Sequence, residues 1–297
     1  MIKKISIIGV GGVGSNLAFN LLSNLEIKQL VLLDIKQDQA KAVAYDLEDT
    51  RGILDFSTQI KGTKYYSQIK NSDIVIFSAG IARREGMSRL DLLRINAEIA
   101  KKAADNIKKY SPKATIVVVT NPLDIITYLI LKQTGFSAKK VIGMGSSLDT
   151  SRLLNILAKE TGVAASSQQA LVFGPHNKEM IVDFAKGQNR KINKIHKAVQ
   201  FRGAEIVKLF KNKSAVFGPS LACCELVKAI AYNQNRIIPV SVLLKGEYGL
   251  KDVCLGTPCV INKAGADRVI EKKINKVQKK KLKEIGFTLR KTLKELT

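Results

Sequence analysis

Only two histidines occur among the 297 residues, so candidates for a proton-transferring imidazole are few. His176 follows an apolar run at 170–173 and a Gly-Pro turn. A polar loop after a buried strand is a common position for a catalytic group, and an imidazole exchanges protons near neutral pH. His176 is therefore the candidate acid or base. His196 lies in a very basic stretch, and we predict that it is a solvated surface residue.

Arginines form a second group of candidates. Arg83, Arg84 and Arg89 lie in a polar, glycine-containing segment that follows a predicted strand. Asp149 and Arg152 are three residues apart at the start of a predicted helix, so they share one of its faces. A guanidinium binds a carboxylate through two parallel hydrogen bonds, which suits an anionic substrate. A basic surface loop and an ordinary helix-cap pair are the alternative interpretations.

A glycine-rich turn indicates a dinucleotide site. The first predicted strand ends in a G-x-G-x-x-G motif made of Gly9, Val10, Gly11, Gly12, Val13 and Gly14. Its glycines permit a tight turn, close approach of the backbone to a pyrophosphate, and close helix–strand packing. The helix that follows offers N–H groups and a positive dipole end to phosphates. Asp34 comes 20 residues after Gly14, where a carboxylate binds the adenosine ribose diol and repels a 2′-phosphate, which favours NAD over NADP.

The elements that must position these residues alternate between strand and helix in the first half. Apolar runs predict buried parallel strands at 4–10, 29–34, 73–78 and 114–119. Helical spacing of apolar residues predicts helices at 13–25, 38–53 and 88–110. This alternation predicts a Rossmann-type, doubly wound parallel α/β sheet over residues 1–145.

The second half, residues 146–297, has a different pattern and predicts an α+β catalytic domain. Its predicted helices are 149–162, 193–211, 219–232 and a long last helix at 266–296. Its predicted strands are 170–173, 180–184, 237–243 and 258–262.

Composition narrows the class of protein. A content of 45% hydrophobic and 25% charged residues is typical of globular proteins and excludes wholesale disorder. We find no run of 18 apolar residues and no secretion signal, so we predict a cytoplasmic protein without a membrane span. The four cysteines lack C-x-x-C spacing and predict buried, reduced thiols without a metal. The net charge of +24 is spread over the chain, which predicts a lysine-rich surface rather than a nucleic-acid site.

Taken together, these motifs resemble those of the lactate/malate dehydrogenase family, and within it the lactate-dehydrogenase-like malate dehydrogenases. The resemblance covers nearly the whole chain. The matching positions are 9–14, Asp34, Ser78-Ala79-Gly80, 83–89, Asn96, Thr120-Asn121-Pro122, 148–152, His176, 239–241 and 246–249. The resemblance implies reversible hydride transfer between malate and NAD, which gives oxaloacetate and NADH. It also implies a homo-oligomer, either a dimer or a tetramer.

The resemblance further implies a role for each site residue. His176 exchanges a proton with the substrate oxygen, and Asp149 pairs with the imidazole. Arg152 binds the carboxylate next to the reacting carbon, Arg89 polarises the carbonyl, and Asn121 donates to the same oxygen. The cofactor contacts implied are Gly9, Val10, Gly11, Gly12, Val13, Gly14, Asp34, Ala79, Gly80, Asn96, Val119, Thr120 and Asn121. The Asn121–Pro122 peptide is expected to be cis.

Substrate choice is expected to depend on Arg83, six residues before Arg89. In the family, Arg at this position marks malate enzymes and Gln marks lactate enzymes. A second guanidinium suits a second carboxylate, and would be costly to bury beside pyruvate. A dehydrogenase for lactate or another 2-hydroxy acid is the closest alternative. A more distant one is an inactive dinucleotide-fold protein that binds nucleic acid through its positive charge.

One segment departs from the family pattern. The family usually has His-Gly-Asp where this chain has His176, Asn177 and Lys178. We expect Asn177 to adopt the unusual backbone angle of the missing glycine. We also expect Lys178 to make the site more cationic and to oppose protonation of His176.

Overall fold

A nine-stranded sheet forms the centre of the computed structural model, which describes residues 2–81, 87–184, 192–211 and 214–296. The strands in chain order are β1 (Lys4–Ile8), β2 (Gln29–Leu33), β3 (Gln59–Thr63), β4 (Ile74–Phe77), β5 (Thr115–Val118), β6 (Val141–Gly143), β7 (Ala170–Phe173), β8 (Ile181–Phe184), β9 (Arg236–Lys245), β10 (Lys251–Asn262) and β11 (Gly265–Val269). Their order across the sheet is β11-β10-β9-β6-β5-β4-β1-β2-β3, while β7 and β8 pair separately.

Six strands of this sheet are parallel, in the order β3-β2-β1-β4-β5-β6. The order reverses beside β1, and in such sheets ligands bind beyond the carboxyl ends of the strands at this point. The predicted Rossmann-type sheet is confirmed. The sheet then continues into the second half, because β9 joins β6 in antiparallel pairing through Gly143 and Ser241. The division of the chain at residue 145 stays a prediction.

Helices cover both faces of the sheet. They are α1 (Gly12–Asn24), α2 (Gln37–Asp49), α3 (Arg51–Leu54), α4 (Arg89–Tyr110), α5 (Leu123–Thr134), α6 (Gly145–Thr161), α7 (Ile192–Phe210), α8 (Phe217–Ala231) and α9 (Lys276–Lys294). Because both faces are covered, the inner parallel strands are mostly apolar, whereas the edge strand β3 is half-exposed. In β4, Ile74 and Ile76 pack into the core on one face, whereas Val75 and Phe77 pack into the core on the other.

The prediction of one last helix from 266 to 296 is wrong at its start. Residues 265–269 form β11, which pairs with β10 in antiparallel register, and α9 begins only at Lys276. Gly265, with a φ of +100°, follows the turn that reverses the chain. Pairing with the sheet edge therefore outweighs the helical spacing of apolar residues that suggested a longer helix.

Two further predictions concern membrane-spanning helices and the state of the cysteines. Within the described ranges, no helix is both long enough and apolar enough to cross a membrane. All four cysteines are buried and none forms a disulfide. The prediction of buried, unbridged thiols is therefore confirmed.

Candidate active site

The glycine turn after β1 has the shape that a dinucleotide requires. Gly9 has a φ of +96°, and a Cβ on it would overlap the Ala79 backbone at the end of β4. A Cβ on Gly14 would overlap the carbonyl oxygen of Gly9, so only glycine lets α1 pack so closely on the strand. At Gly11, apart from its chain neighbours, no atom of the described residues lies within 4 Å of a Cβ position, so the backbone is open to approach by a phosphate. These residues fit the pyrophosphate of NAD.

Asp34 lies at the end of β2 and contacts this turn directly. Its Oδ2 accepts a hydrogen bond from Val10 N at 2.8 Å, and its Oδ1 accepts one from Lys36 N at 3.0 Å. Gln39 Nε2 donates to the Val10 carbonyl at 2.7 Å. The half-buried carboxylate is therefore held beside the glycine turn, where it fits an adenosine ribose with two hydroxyl groups.

The segments that follow β4 and β5 are fastened to each other. Asn96 Oδ1 accepts from Ile81 N at 2.9 Å, and Asn96 Nδ2 donates to the Asn121 carbonyl at 2.9 Å. Thr120 Oγ1 donates to the Ala79 carbonyl at 2.8 Å. Asn96 is buried, so its amide is occupied by these backbone groups. Its direct contact with the cofactor, like those of Val119, Thr120 and Gly80, stays a prediction.

His176, Asp149 and Arg152 form one hydrogen-bonded group. His176 Nδ1 lies 2.6 Å from Asp149 Oδ2, and Arg152 Nη1 donates to Asp149 Oδ1 at 3.2 Å. Asp149 and Arg152 come from successive turns of α6, and His176 lies in the loop after β7. The Asp149 side chain is 1% exposed and that of His176 is 15% exposed. Because Asp149 occupies Nδ1, Nε2 is the nitrogen that can exchange a proton with a substrate.

The surroundings of His176 favour its protonated form. Burial lowers the pKa of His176, but the charge and hydrogen bond of Asp149 and the charge of Asp124 raise it. Arg152 lowers it, and the net result is a pKa above the ordinary value of 6.5. Asp149 and Arg152, three residues apart on α6, therefore act on His176 in opposite directions.

The residues after His176 differ from our expectation. Asn177 is not among the described residues with positive φ, so the expectation that it adopts an unusual backbone angle is wrong. Its side chain instead closes the turn, because Asn177 Oδ1 accepts from Glu179 N at 2.7 Å. Lys178 Nζ lies 4.9 Å from the ring centroid of Phe201 on α7. The ammonium group of Lys178 is therefore placed by an aromatic ring of α7.

The prediction that His196 is a solvated surface residue is wrong. His196 is half-buried, and its Nε2 lies 3.2 Å from the Met180 carbonyl oxygen. The prediction failed because α7 packs against the loop that carries His176. Gln200, one turn later, donates to the Lys178 carbonyl at 2.6 Å.

Sequence reasoning missed three residues at the site. Asp124 accepts a hydrogen bond from the backbone N of His176 at 3.0 Å. A Cβ on Gly145 would lie 2.7 Å from His176 Cγ, so only glycine leaves room for the imidazole there. A Cβ on Gly203 would lie 3.4 Å from Arg152 Nη1. An acidic residue two positions after Pro122 was the one available signal for Asp124.

The structure describes neither Arg83 nor the side chain of Arg89, the two arginines predicted to bind substrate. Arg83 lies outside the described residues. Arg89 is the first residue of α4, and its side chain also lies outside the description. The start of α4 is fixed locally: Ser88 Oγ accepts from Asp91 N at 3.1 Å, and the Asp91 carboxylate accepts from Ser88 N at 3.2 Å. The peptide between Asn121 and Pro122 is cis, as expected.

Comparison with known proteins gives consistent matches over the whole chain. Residues 3–143 match the model of the lactate/malate dehydrogenase NAD binding domain, and residues 146–297 match that of the alpha/beta C-terminal domain. Malate dehydrogenase of Bacteroides fragilis is 36% identical over 303 residues, which cover 98% of this chain and 96% of the relative. Malate dehydrogenase of Methanosarcina barkeri is 36% identical over 306 residues, 99% of each chain.

A solved structure extends the match to three dimensions. Malate dehydrogenase from Archaeoglobus fulgidus in complex with NADH has a TM-score of 0.91 and 36% identity, and the match covers 99% of both chains. The predicted family, the fold class and NAD as the cofactor are thereby confirmed. The chain belongs to the lactate/malate dehydrogenase family.

Proposed function

We propose that this chain catalyses the reversible oxidation of malate to oxaloacetate with NAD. The observation that carries the proposal is the carboxylate of Asp149, which joins His176 to Arg152. That arrangement places a group for proton transfer next to a guanidinium for a carboxylate, as a 2-hydroxy acid requires. Relatives named malate dehydrogenase, 36% identical over nearly the full chain, favour malate as the substrate.

His176 performs the proton transfer. As malate is oxidised, neutral Nε2 accepts the hydroxyl proton; as oxaloacetate is reduced, the imidazolium returns it. Asp149 fixes the orientation of the ring and stabilises its charge. The bound nicotinamide supplies the hydride acceptor or donor. Arg152 binds the carboxylate beside the reacting carbon, which holds that carbon in one orientation.

Three further residues complete the proposed substrate site. Arg89 polarises the substrate carbonyl, and Asn121 donates to the same oxygen. Arg83 binds the second carboxylate, which malate has and lactate lacks. An enzyme for lactate or another 2-hydroxy acid is the alternative function. A matched pair of assays separates the two.

The test compares NADH oxidation with oxaloacetate and with pyruvate at equal concentrations. The proposal expects a higher kcat/KM with oxaloacetate. A clear preference for pyruvate would instead identify a lactate-type enzyme. Activity with neither substrate, in a folded protein that binds NADH, would contradict both.

Asp34 is expected to select NAD against NADP. Replacing Asp34 by Ser removes the negative charge that would repel a 2′-phosphate, so the ratio of kcat/KM with NADPH to that with NADH should rise. Because Asp34 also accepts from Val10 N, the melting temperature of the variant is measured alongside. Asp38, in the first turn of the next helix, provides the control, since Asp38→Ser should leave the ratio unchanged. Equal use of both cofactors by the unaltered enzyme would contradict this role.

The enzyme is proposed to be a homo-oligomer, a dimer or a tetramer. Large apolar side chains are exposed on helices of both halves: Ile53 on α3 is 87% exposed and Leu209 on α7 is 77% exposed. A cluster of exposed apolar residues, such as Val207, Leu209 and Phe210 on α7, is typical of a surface that another subunit covers. Sedimentation velocity would test this, and a monomer at micromolar concentration would contradict it.

A cytoplasmic location without nucleic-acid or membrane partners is part of the same proposal. Bacterial and archaeal relatives and the unbridged thiols support the location. The net charge of +24 suits a different use, because substrate and cofactor are both anions. A positive field raises their local concentration near the enzyme.

A further inference from the structure

Asp124 is a buried carboxyl group to which the proposed mechanism gives no role. It lies in the first turn of α5 and is only 7% exposed. Its Oδ2 accepts from the backbone N of His176 at 3.0 Å, and its Oδ1 accepts from Ser241 Oγ at 2.6 Å. Burying a carboxylate is costly unless hydrogen bonds or charges compensate for lost water. Both oxygens are compensated here, one of them by the segment that carries the candidate acid and base.

These contacts join three separate parts of the fold. Asp124 belongs to the helix after β5, His176 to the loop after β7, and Ser241 to β9. Ser241 also pairs with Gly143, the contact at which the parallel and antiparallel parts of the sheet meet. The backbone of His176 is thus fastened to this junction, while its ring is fastened to α6 by Asp149.

The charges that shift the pKa of His176 come from α6 and α5, whereas α7 contacts the backbone of the same loop through His196 and Gln200. Asp149 and Arg152 face it from α6, and Asp124 faces it from α5. Behind Asp124, Cys254 of β10 is buried with a pKa raised well above its ordinary value, so its thiol is neutral. Asp124 is therefore a second acidic group, besides Asp149, whose charge favours the imidazolium.

Burial and hydrogen bonding have opposite effects on the pKa of Asp124. Burial raises the pKa of Asp124, and the hydrogen bonds from Ser241 and the His176 N–H, with the charge of His176, lower it. The net pKa lies above the ordinary value of 3.8. Ser241 therefore helps to keep Asp124 in the anionic form that acts on His176.

We propose that Asp124, supported by Ser241, is a positioning residue for His176: it fixes the backbone of the catalytic loop and favours the protonated imidazole. The inference rests on the proposed acid–base role of His176. Asp124 acts through His176, so its removal is expected to change how His176 titrates, and not only the stability of the fold.

The test follows the titration of the two histidines by NMR in Asp124→Asn and in the unaltered protein. Asparagine can still accept from the His176 N–H and can donate to Ser241 Oγ, so this variant removes charge and keeps the contacts. The signal of His176 should titrate at lower pH in the variant, and that of His196 should not move. A His196→Asn protein assigns the two signals, because the chain has only two histidines.

Activity provides the second readout. With Asp124→Asn, the pH at which kcat/KM for oxaloacetate falls should move down together with the titration of His176. Ser241→Ala should shift the titration of His176 and the pH dependence of kcat/KM in the same direction, but by less. If Asp124→Asn does not fold, Ser241→Ala becomes the variant that tests the proposal.

Asp73→Asn is the matched control. Like Asp124, Asp73 accepts from backbone N–H groups, those of Lys3 at 2.7 Å and Lys4 at 2.9 Å, but it is exposed and lies at the opposite end of the parallel strands. It should change stability and leave the titration of His176 in place. An unchanged titration in folded Asp124→Asn, or in Ser241→Ala where that is the variant available, would overturn the proposal. An equal shift in Asp73→Asn would do the same. The titration needs no substrate, so lack of malate dehydrogenase activity would overturn the proposed function separately.

Discussion

Replacing His176 by Asn is expected to abolish most oxaloacetate reduction, with kcat lowered by at least about 10²–10⁴-fold. Asparagine can neither supply a proton to the substrate oxygen nor take it back. The glycine turn and Asp34 lie on other strands, so NADH binding should persist. Steady-state rates and NADH fluorescence titration measure the two effects separately.

His196→Asn is the control for this experiment. His196 lies on α7, and its ring contacts a backbone carbonyl. Its replacement should leave kcat near that of the unaltered enzyme, with at most a small loss of stability. Near-normal turnover by the His176 variant, or lost turnover by a folded His196 variant, would contradict the assignment of the acid and base.

Arg83→Gln is expected to weaken oxaloacetate turnover and to improve the relative use of pyruvate. A hydrogen bond to a charged group contributes about 1.5–3 kcal/mol, which corresponds to about ten- to a hundredfold in kcat/KM. The ratio of kcat/KM for the two substrates measures the change in preference directly, because it does not depend on enzyme concentration.

The neighbouring arginine supplies the comparison. Arg84→Gln removes the same charge one residue later in the same segment, and it should leave the substrate ratio nearly unchanged. An unaltered preference for oxaloacetate in the Arg83 variant would contradict its proposed role. A changed preference in the Arg84 variant would transfer that role to Arg84.

The core of the fold was predictable because its signals are local. All four residues of β4 and three of the five in β1 are apolar, since both faces are covered, and glycines mark the turn that follows β1. The strands β3 and β6 were missed: β3 is a half-exposed edge strand and β6 has only three residues. The last helix was overextended because Ile270 and Ile274 continue its apolar spacing, although residues 265–269 pair with β10 and α9 begins only at Lys276.

The site residues likewise include some that a local sequence pattern predicts and some that it does not. Asp149 and Arg152 were recognisable because their spacing of three residues places them on one helix face. Asp124 was not, because its partners His176 and Ser241 are 52 and 117 residues away along the chain. Such contacts depend on the packing of α5 against β9 and the loop after β7, which no local pattern encodes. The half-buried position of His196 depends on tertiary packing in the same way.

The pH dependence of the two directions of the reaction tests the central claim most directly. Oxaloacetate reduction needs protonated His176, so its kcat/KM should be maximal at low pH and should fall as pH rises through the pKa of His176. Malate oxidation needs the neutral form, so its kcat/KM should rise through the same pKa. Because Asp149 and Asp124 outweigh burial and Arg152, that shared pKa should lie above 6.5. Opposite profiles with one common pKa are the predicted result, and profiles that rise or fall together in both directions would contradict it.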